Sequence, residues 1–217
     1  MATVSPFATL AADPAARLDA LALALAAELR PTDAEAALAR LDELGAEVRE
    51  VADATGGELA ALSFVLGERH LFAGAQEEYD HPDHSMLDLV LERRRGLPIA
   101  LSVVYVETAR RAGIGLDGVG LSGHYVVGQF RDGAPPVLLD PFAGGATLVA
   151  PNPAEVRPWA PHETALRMLN NLVASYTRRN DLGRAIRAAE MRLELSLEPA
   201  LREVLAAELR SLRARLN

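Results

Sequence analysis

The stretch from Pro98 to Ala112 constrains the fold more than any other part of this sequence. It reads PIALSVVYVETARRA and lies between Gly96 and Gly113. Proline is at home in the first turn of a helix, where its missing N–H would have no partner anyway, and glycine is common just past a helix end. Ile99, Leu101, Val103, Val104 and Val106 put apolar side chains on nearly every side of such a helix. A helix that is apolar all round is a buried one. The rest of the chain must therefore wrap around it.

After Gly113 the pattern changes to short β-like runs: Leu116 to Leu121, Tyr125 to Phe130, and Val137 to Leu139. Asp132-Gly133 predicts a hairpin turn between the second and third. Gly144-Gly145 and the proline-rich stretch Pro151 to Pro161 read as a surface linker. Upstream, Asp13 and Pro14 open a helix that runs to about Leu29. Thr32 and Glu35 have capping-box spacing ahead of Leu38, Leu41, Leu44, Val48 and Val51, an amphipathic helix broken by Gly56-Gly57. A third helical stretch carries Leu59, Leu62, Val65 and Leu66 and fades near Gly74. Residues 75–84 are polar and turn-like. Ser85 and Asp88 then form a second capping box before Leu87, Val90 and Leu91, in a helix that Gly96 ends. From His162 onward the chain is helical again. Leu169, Leu172, Tyr176, Ala185 and Ala189 follow the spacing of a tetratricopeptide-like hairpin with Asn180-Asp181 at its turn, or equally of two ordinary packed helices.

These elements give an α+β protein, mostly helical, with a small antiparallel sheet. The expected division is a helical region over 1–75, a core over 76–160 and a helical pair over 161–217. A net charge of -8 argues against non-specific nucleic-acid binding, which needs clustered Lys and Arg. No stretch approaches the roughly 20 apolar residues of a membrane span, and Met1 to Leu10 lacks a signal-peptide pattern, so a cytoplasmic location is expected. The sequence contains no cysteine, which excludes disulfides, thiolate metal sites and cysteine nucleophiles together. Asp80, His81, Asp83, His84 and Asp88, with Glu77 and Glu78, are of metal-ligand types, but their setting reads as a surface loop. Neither metal nor cofactor is expected. His70 and His162 stand alone in the sequence.

From Tyr79 to Gly145 the segments YDHPDHSMLDLVLERRRGLPIALSVVYVETARRAGI, GVGLSGHYVV and LLDPFAGG resemble the SirB-type family of transglutaminase-like proteins. The resemblance implies a helical N-terminal region, a papain-like transglutaminase core and tetratricopeptide-like helices at the C-terminus. In active members of the wider superfamily a Gly-x-Cys opens a helix, one strand presents a histidine and a second strand an aspartate. The chemistry is coherent: a helix N-terminus lowers the thiol pKa, histidine takes the proton, and aspartate fixes the histidine tautomer. Carried onto this chain, the resemblance makes Gly96 the glycine, Gly113-Ile114 the helix end, His124 the histidine and Asp140 the aspartate. The nucleophile position falls on Pro98, so the triad is reduced to a pair.

Ser102, about 6 Å further along the same helix, is too far to substitute. Ser122, within Gly120-Leu121-Ser122-Gly123-His124, lacks the following helix of a nucleophile elbow. Gly128 stands where the family usually has an arginine. Asp88, Arg93 and Arg94 match family positions; the arginines suit a helix C-terminus and are read as bracing the core, with pairing to Asp80 or Asp140, Arg94 near the cleft above all, as the sharper alternative. The function implied is a non-catalytic module that binds another protein, with a homodimer conceivable. The alternatives are a divergent hydrolase or amide-transfer enzyme built on His124 and Asp140, and a module that takes an acidic or peptide ligand on Arg93 to Arg95.

Overall fold

Residues 5–149, 152 and 156–216 are described by a computed structural model. The N-terminal part forms α1 (Phe7–Ala11), α2 (Leu18–Leu29), α3 (Ala34–Thr55) and α4 (Glu58–Leu62), and α4 runs on into π-helical turns over Ser63–Arg69. Next come β1 (Ala73–Gly74), a 3-10 turn over Pro82–Ser85, α5 (Leu87–Arg93), β2 (Arg95–Gly96) and α6 (Pro98–Ala112). Strands β3 (Asp117–Leu121), β4 (His124–Gln129), β5 (Val137–Asp140) and β6 (Ala146–Leu148) form an antiparallel sheet in that order. Helices α7 (Pro161–Arg178), α8 (Leu182–Glu194) and α9 (Pro199–Ala214) complete the chain. The protein is thus α+β and mostly helical, with a small antiparallel sheet.

Helix α6 occupies the centre, as its composition requires. Ala100, Leu101, Val103, Val104 and Tyr105 are wholly buried, and each buried aliphatic side chain contributes about 1.5–3 kcal/mol relative to exposure. Helix α3 crosses α6 so closely at Gly45 that a Cβ there would fall 2.4 Å from the Cβ of Arg111. The main apolar core is continuous from Phe7 through α6 and the sheet to Leu169, Leu172, Ala185 and Ala188 of the C-terminal helices. Leu209 and Leu212 of α9 form a separate small cluster with Ala189.

Several local expectations shift for identifiable reasons. Helix α2 starts at Leu18, not at Pro14. Asp13 instead closes a turn, accepting the Ala15 N–H at 2.9 Å. The free end of α2 is capped from another element: Glu107 Oε1 accepts the Asp19 N–H at 3.3 Å. Helix α3 is capped by Asp33, which accepts the Ala36 N–H at 3.0 Å, and not by Thr32. At α5 no side chain caps the start, so the expected Ser85/Asp88 box is absent and Asp88 pairs with Arg30 instead. Arg94, in the left-handed region at φ 59, ends α5. Gly96 lies beyond, in β2, which pairs in parallel with β1. The two-residue turn of the sheet is Ser122-Gly123, with Leu121 opposite His124 and Gly123 at φ 74. Asp132-Gly133 falls inside a longer β4–β5 connection. Strand β6, too short to show alternation, was not foreseen. The Pro151 to Pro161 stretch lies outside the described residues at 151 and 153–155, and its far end is docked by Trp159, whose N–H donates to Gly118 O at 2.9 Å.

Candidate functional site

His124 opens β4 immediately after the tight turn, and Asp140 closes β5. Val127 pairs with Leu139, and alternation along each strand then puts His124 and Asp140 on one face of the sheet. Their side chains meet: His124 Nε2 lies 3.0 Å from Asp140 Oδ2. The other carboxylate oxygen accepts the Phe142 N–H at 2.9 Å. A carboxylate can only accept, so the ring donates through Nε2–H. His124 is 30% exposed and Asp140 17%, so the pair is reachable from solvent.

The walls are aromatic and backbone. Phe142 meets the His124 ring edge-on at 6.4 Å, and Tyr79, half exposed, meets Phe142 at 6.0 Å. Phe142 lies against Gly74 so tightly that a Cβ there would fall 2.3 Å from the ring. The loop after Asp140 is tied down by Gly145 N–H to Asp140 O at 2.8 Å and by Ser63 Oγ to Gly145 O at 2.7 Å. Tyr105, on α6, is buried with its hydroxyl unpartnered. Burial, and secondarily the negative charge of Asp140, push its phenol pKa up, so it stays protonated.

Pro98 is buried at the first position of α6. Ser102 is wholly buried and its hydroxyl has no partner; it faces the core, with neither a nucleophile's exposure nor a bond back to the preceding turn. Two concavities lie elsewhere. One, of about 1110 Å³, runs between the start of α3 and α5. The other, of about 380 Å³, lies between the start of α2 and the end of α6. Neither is lined by Pro98, His124 or Asp140.

The expected partners of Arg93 and Arg94 are corrected. Arg93 binds Asp83 at 2.8 Å, and Arg94 has no ion pair among the described residues. Asp80 is taken by Arg178 at 2.9 Å and Arg179 at 3.7 Å from α7, and Asp140 by His124. The arginines from 93 to 95 therefore form no joint cluster: Arg95 donates to Leu71 O and Arg94 O. His81 and Asp83 approach at 3.7 Å, yet among the described residues no group of three or more metal-ligand side chains converges. His70, isolated in the sequence, bonds Glu47 at 2.6 Å and Arg40 at 3.1 Å.

A second polar assembly was invisible in the sequence. Asp19 is wholly buried and accepts ion pairs from Arg111 at 2.7 Å, Arg17 at 3.3 Å and Arg110 at 3.4 Å. Glu107 binds both Arg110 and Arg111 at 2.8 Å. Burial alone would raise the Asp19 pKa, but the Arg111 hydrogen bond and the charges of Arg17 and Arg111 outweigh it and hold it below the usual range. Burial, then the Asp19 charge, push Glu107 the other way. Sequence reasoning also missed Arg167 of α7, which donates to His124 O at 3.0 Å. No local pattern marks a residue 43 positions from its partner.

A helix opening on a position for a nucleophile, followed by strands that bring a histidine to an aspartate, defines a transglutaminase-like core. The chain belongs to the Transglutaminase-like superfamily, whose pattern it matches over residues 35–187. Its bacterial relatives agree with the SirB-type assignment. It is 39% identical to a UPF0162 protein of Xylella fastidiosa (strain 9a5c) over 158 residues, 64% of this chain and 56% of that protein. It is 37% identical to a UPF0162 protein of Pseudomonas aeruginosa over 153 residues, 68% of this chain and 54% of that one. F-box only protein 21 of Mus musculus is 32% identical over 84 residues, 39% of this chain but 13% of that protein. The chain spans about half the length of the bacterial relatives it matches most extensively. No solved structure matches it significantly. Among the described residues no helix is long and apolar enough to cross a membrane.

Proposed function

We propose that this chain is a non-catalytic transglutaminase-like module that acts by binding another protein. One observation carries the reading. The position that the family gives to its nucleophile holds Pro98, buried at the first turn of α6, in a sequence with no cysteine. Proline has no nucleophilic atom, and the nearest hydroxyl on that helix, Ser102, is sealed in the core. What persists is a surface: a half-exposed tyrosine, an edge-on phenylalanine and a partly exposed histidine held by Asp140. The match to a small share of a longer mouse protein fits a module that can be built into a larger chain.

The second reading has its own support, because a partly exposed His124 oriented by Asp140 is the arrangement of a general base. One experiment separates them. Affinity capture with the wild-type chain is compared with capture by His124→Ala and by Val204→Glu, which alters the exposed face of α9. A defined partner retained by the wild type and lost with one of these folded variants supports binding. Turnover of amide or peptide substrates by the wild type, abolished in His124→Ala without unfolding, would replace the binding reading with the hydrolytic one.

A further inference from the structure

Helix α7 reaches the His124 site from two sides. On one side, the Arg167 guanidinium crosses to the β3–β4 turn, where it donates to His124 O at 3.0 Å and, at the longer distance of 3.5 Å, to Leu121 O. These carbonyls bracket Ser122-Gly123, so one side chain spans the turn that delivers the histidine. The guanidinium is also stacked, 5.5 Å from the Tyr125 ring centre and 5.7 Å from that of Trp159. Among the described residues it has no carboxylate partner. Its hydrogen bonds go to backbone and its faces to aromatic rings. A planar fork pre-organised in this way loses less freedom per bond than a lysine would.

On the other side, α7 holds the loop that carries Tyr79. Ser175 Oγ donates to Asp80 O, and Arg178 and Arg179 pair with the Asp80 carboxylate. Tyr79 packs on Phe142, and Phe142 packs on His124. Both walls of the histidine thus trace back to one helix.

We infer that Arg167 is a positioning residue for His124: it fixes the turn that holds the ring in register with Asp140. The inference rests on the reading of His124 and Asp140 as the functional face, but its test does not require any partner or substrate. A neighbour separates positioning from mere packing. Arg157 lies 5.4 Å from the centre of the same Trp159 ring, yet its hydrogen bonds go to Glu163 and Pro158 O, and it does not touch the turn.

The experiment follows the His124 Nε2 proton by NMR at low temperature in the full chain and measures its exchange rate with water. Arg167→Met should speed this exchange about tenfold, the scale of one lost hydrogen bond. Arg167→Lys, which keeps the charge but loses the fork, should fall between, and it serves as the test if the methionine variant does not fold. Arg157→Met should stay within about twofold of wild type. Unchanged exchange in a folded Arg167 variant, or equal acceleration by Arg157→Met, would overturn the inference. A chain that binds no partner but shows the expected exchange pattern would sink the binding reading and leave the positioning role standing.

Discussion

Two polar assemblies flank the central helix, and they are built in opposite ways. The Asp19–Glu107 assembly joins α2 to α6 with two buried carboxylates and three arginines, and its acceptors are heavily used. The His124–Asp140 pair is a single side-chain hydrogen bond between the ends of the two inner strands, partly exposed. Buried charges persist when they are paired, and both carboxylates of the first assembly are, while Arg17 and Arg110 keep much of their surface in solvent. The second is under-determined by its own contacts and is held by neighbours such as Phe142 and Arg167. The first cluster ties α2 to α6, whereas the second pair stays partly exposed.

The largest expected effect breaks the first assembly. Asp19→Ala leaves Arg17, Arg110 and Arg111 short of a buried partner and should destabilise the protein by about 3–5 kcal/mol in chemical denaturation. If the loss were under about 1 kcal/mol, comparable to an exposed pair, the contrast between the two assemblies would collapse.

Protonation probes the first assembly further, because the pKa values of its two carboxylates shift in opposite directions. Asp19 is held below its ordinary value, about 3.9 in an unfolded chain, so its contribution is present above that pH and lost as pH falls through its folded pKa. Glu107 is raised above its ordinary value of about 4.3, so the folded chain takes up its proton first and ionisation weakens the fold as pH rises through that window. Stability measured against pH should therefore fall toward acid for wild type relative to Asp19→Asn, and rise toward acid relative to Glu107→Gln. Parallel curves for the two variants would refute the assignment.

Asp140→Asn tests the other pole. It removes the charged acceptor of the His124 ring while Asn can still receive the Phe142 N–H, and its stability cost should be only about 0.5–1.5 kcal/mol. The His124 ring should nevertheless become mobile by NMR relaxation. A cost as large as that of Asp19→Ala would make the pair a structural brace. Ser102→Ala concerns a polar group of α6 that belongs to neither assembly. Removing an unpartnered buried hydroxyl should leave stability unchanged or raise it by about 1 kcal/mol, as melting temperature would report.

Much of the frame was legible in local sequence. Pro98 and Gly113 delimit α6, the run Ile99 to Val106 makes it central, and Gly56 stops α3 at φ 73. His124 and Asp140 were placed by resemblance, and β pairing brings them together. At two helix starts a distant group replaced the local signal. Glu107 caps α2 from α6, 88 residues away, and Arg30 takes the Asp88 that a capping box would have used.

By itself, then, the sequence determined the central helix, the mostly helical α+β frame and the absence of any cysteine. Each of these depends on residue chemistry within a turn or two of chain. Only the tertiary structure decided that Ser102 faces a sealed core, that Asp19 and Glu107 share their arginines, and that Arg167 grips the turn before His124. The bonds of Arg167 to His124 and of Arg111 to Asp19 join residues 43 and 92 positions apart. They form only once the apolar elements have packed around α6, and no local pattern records them.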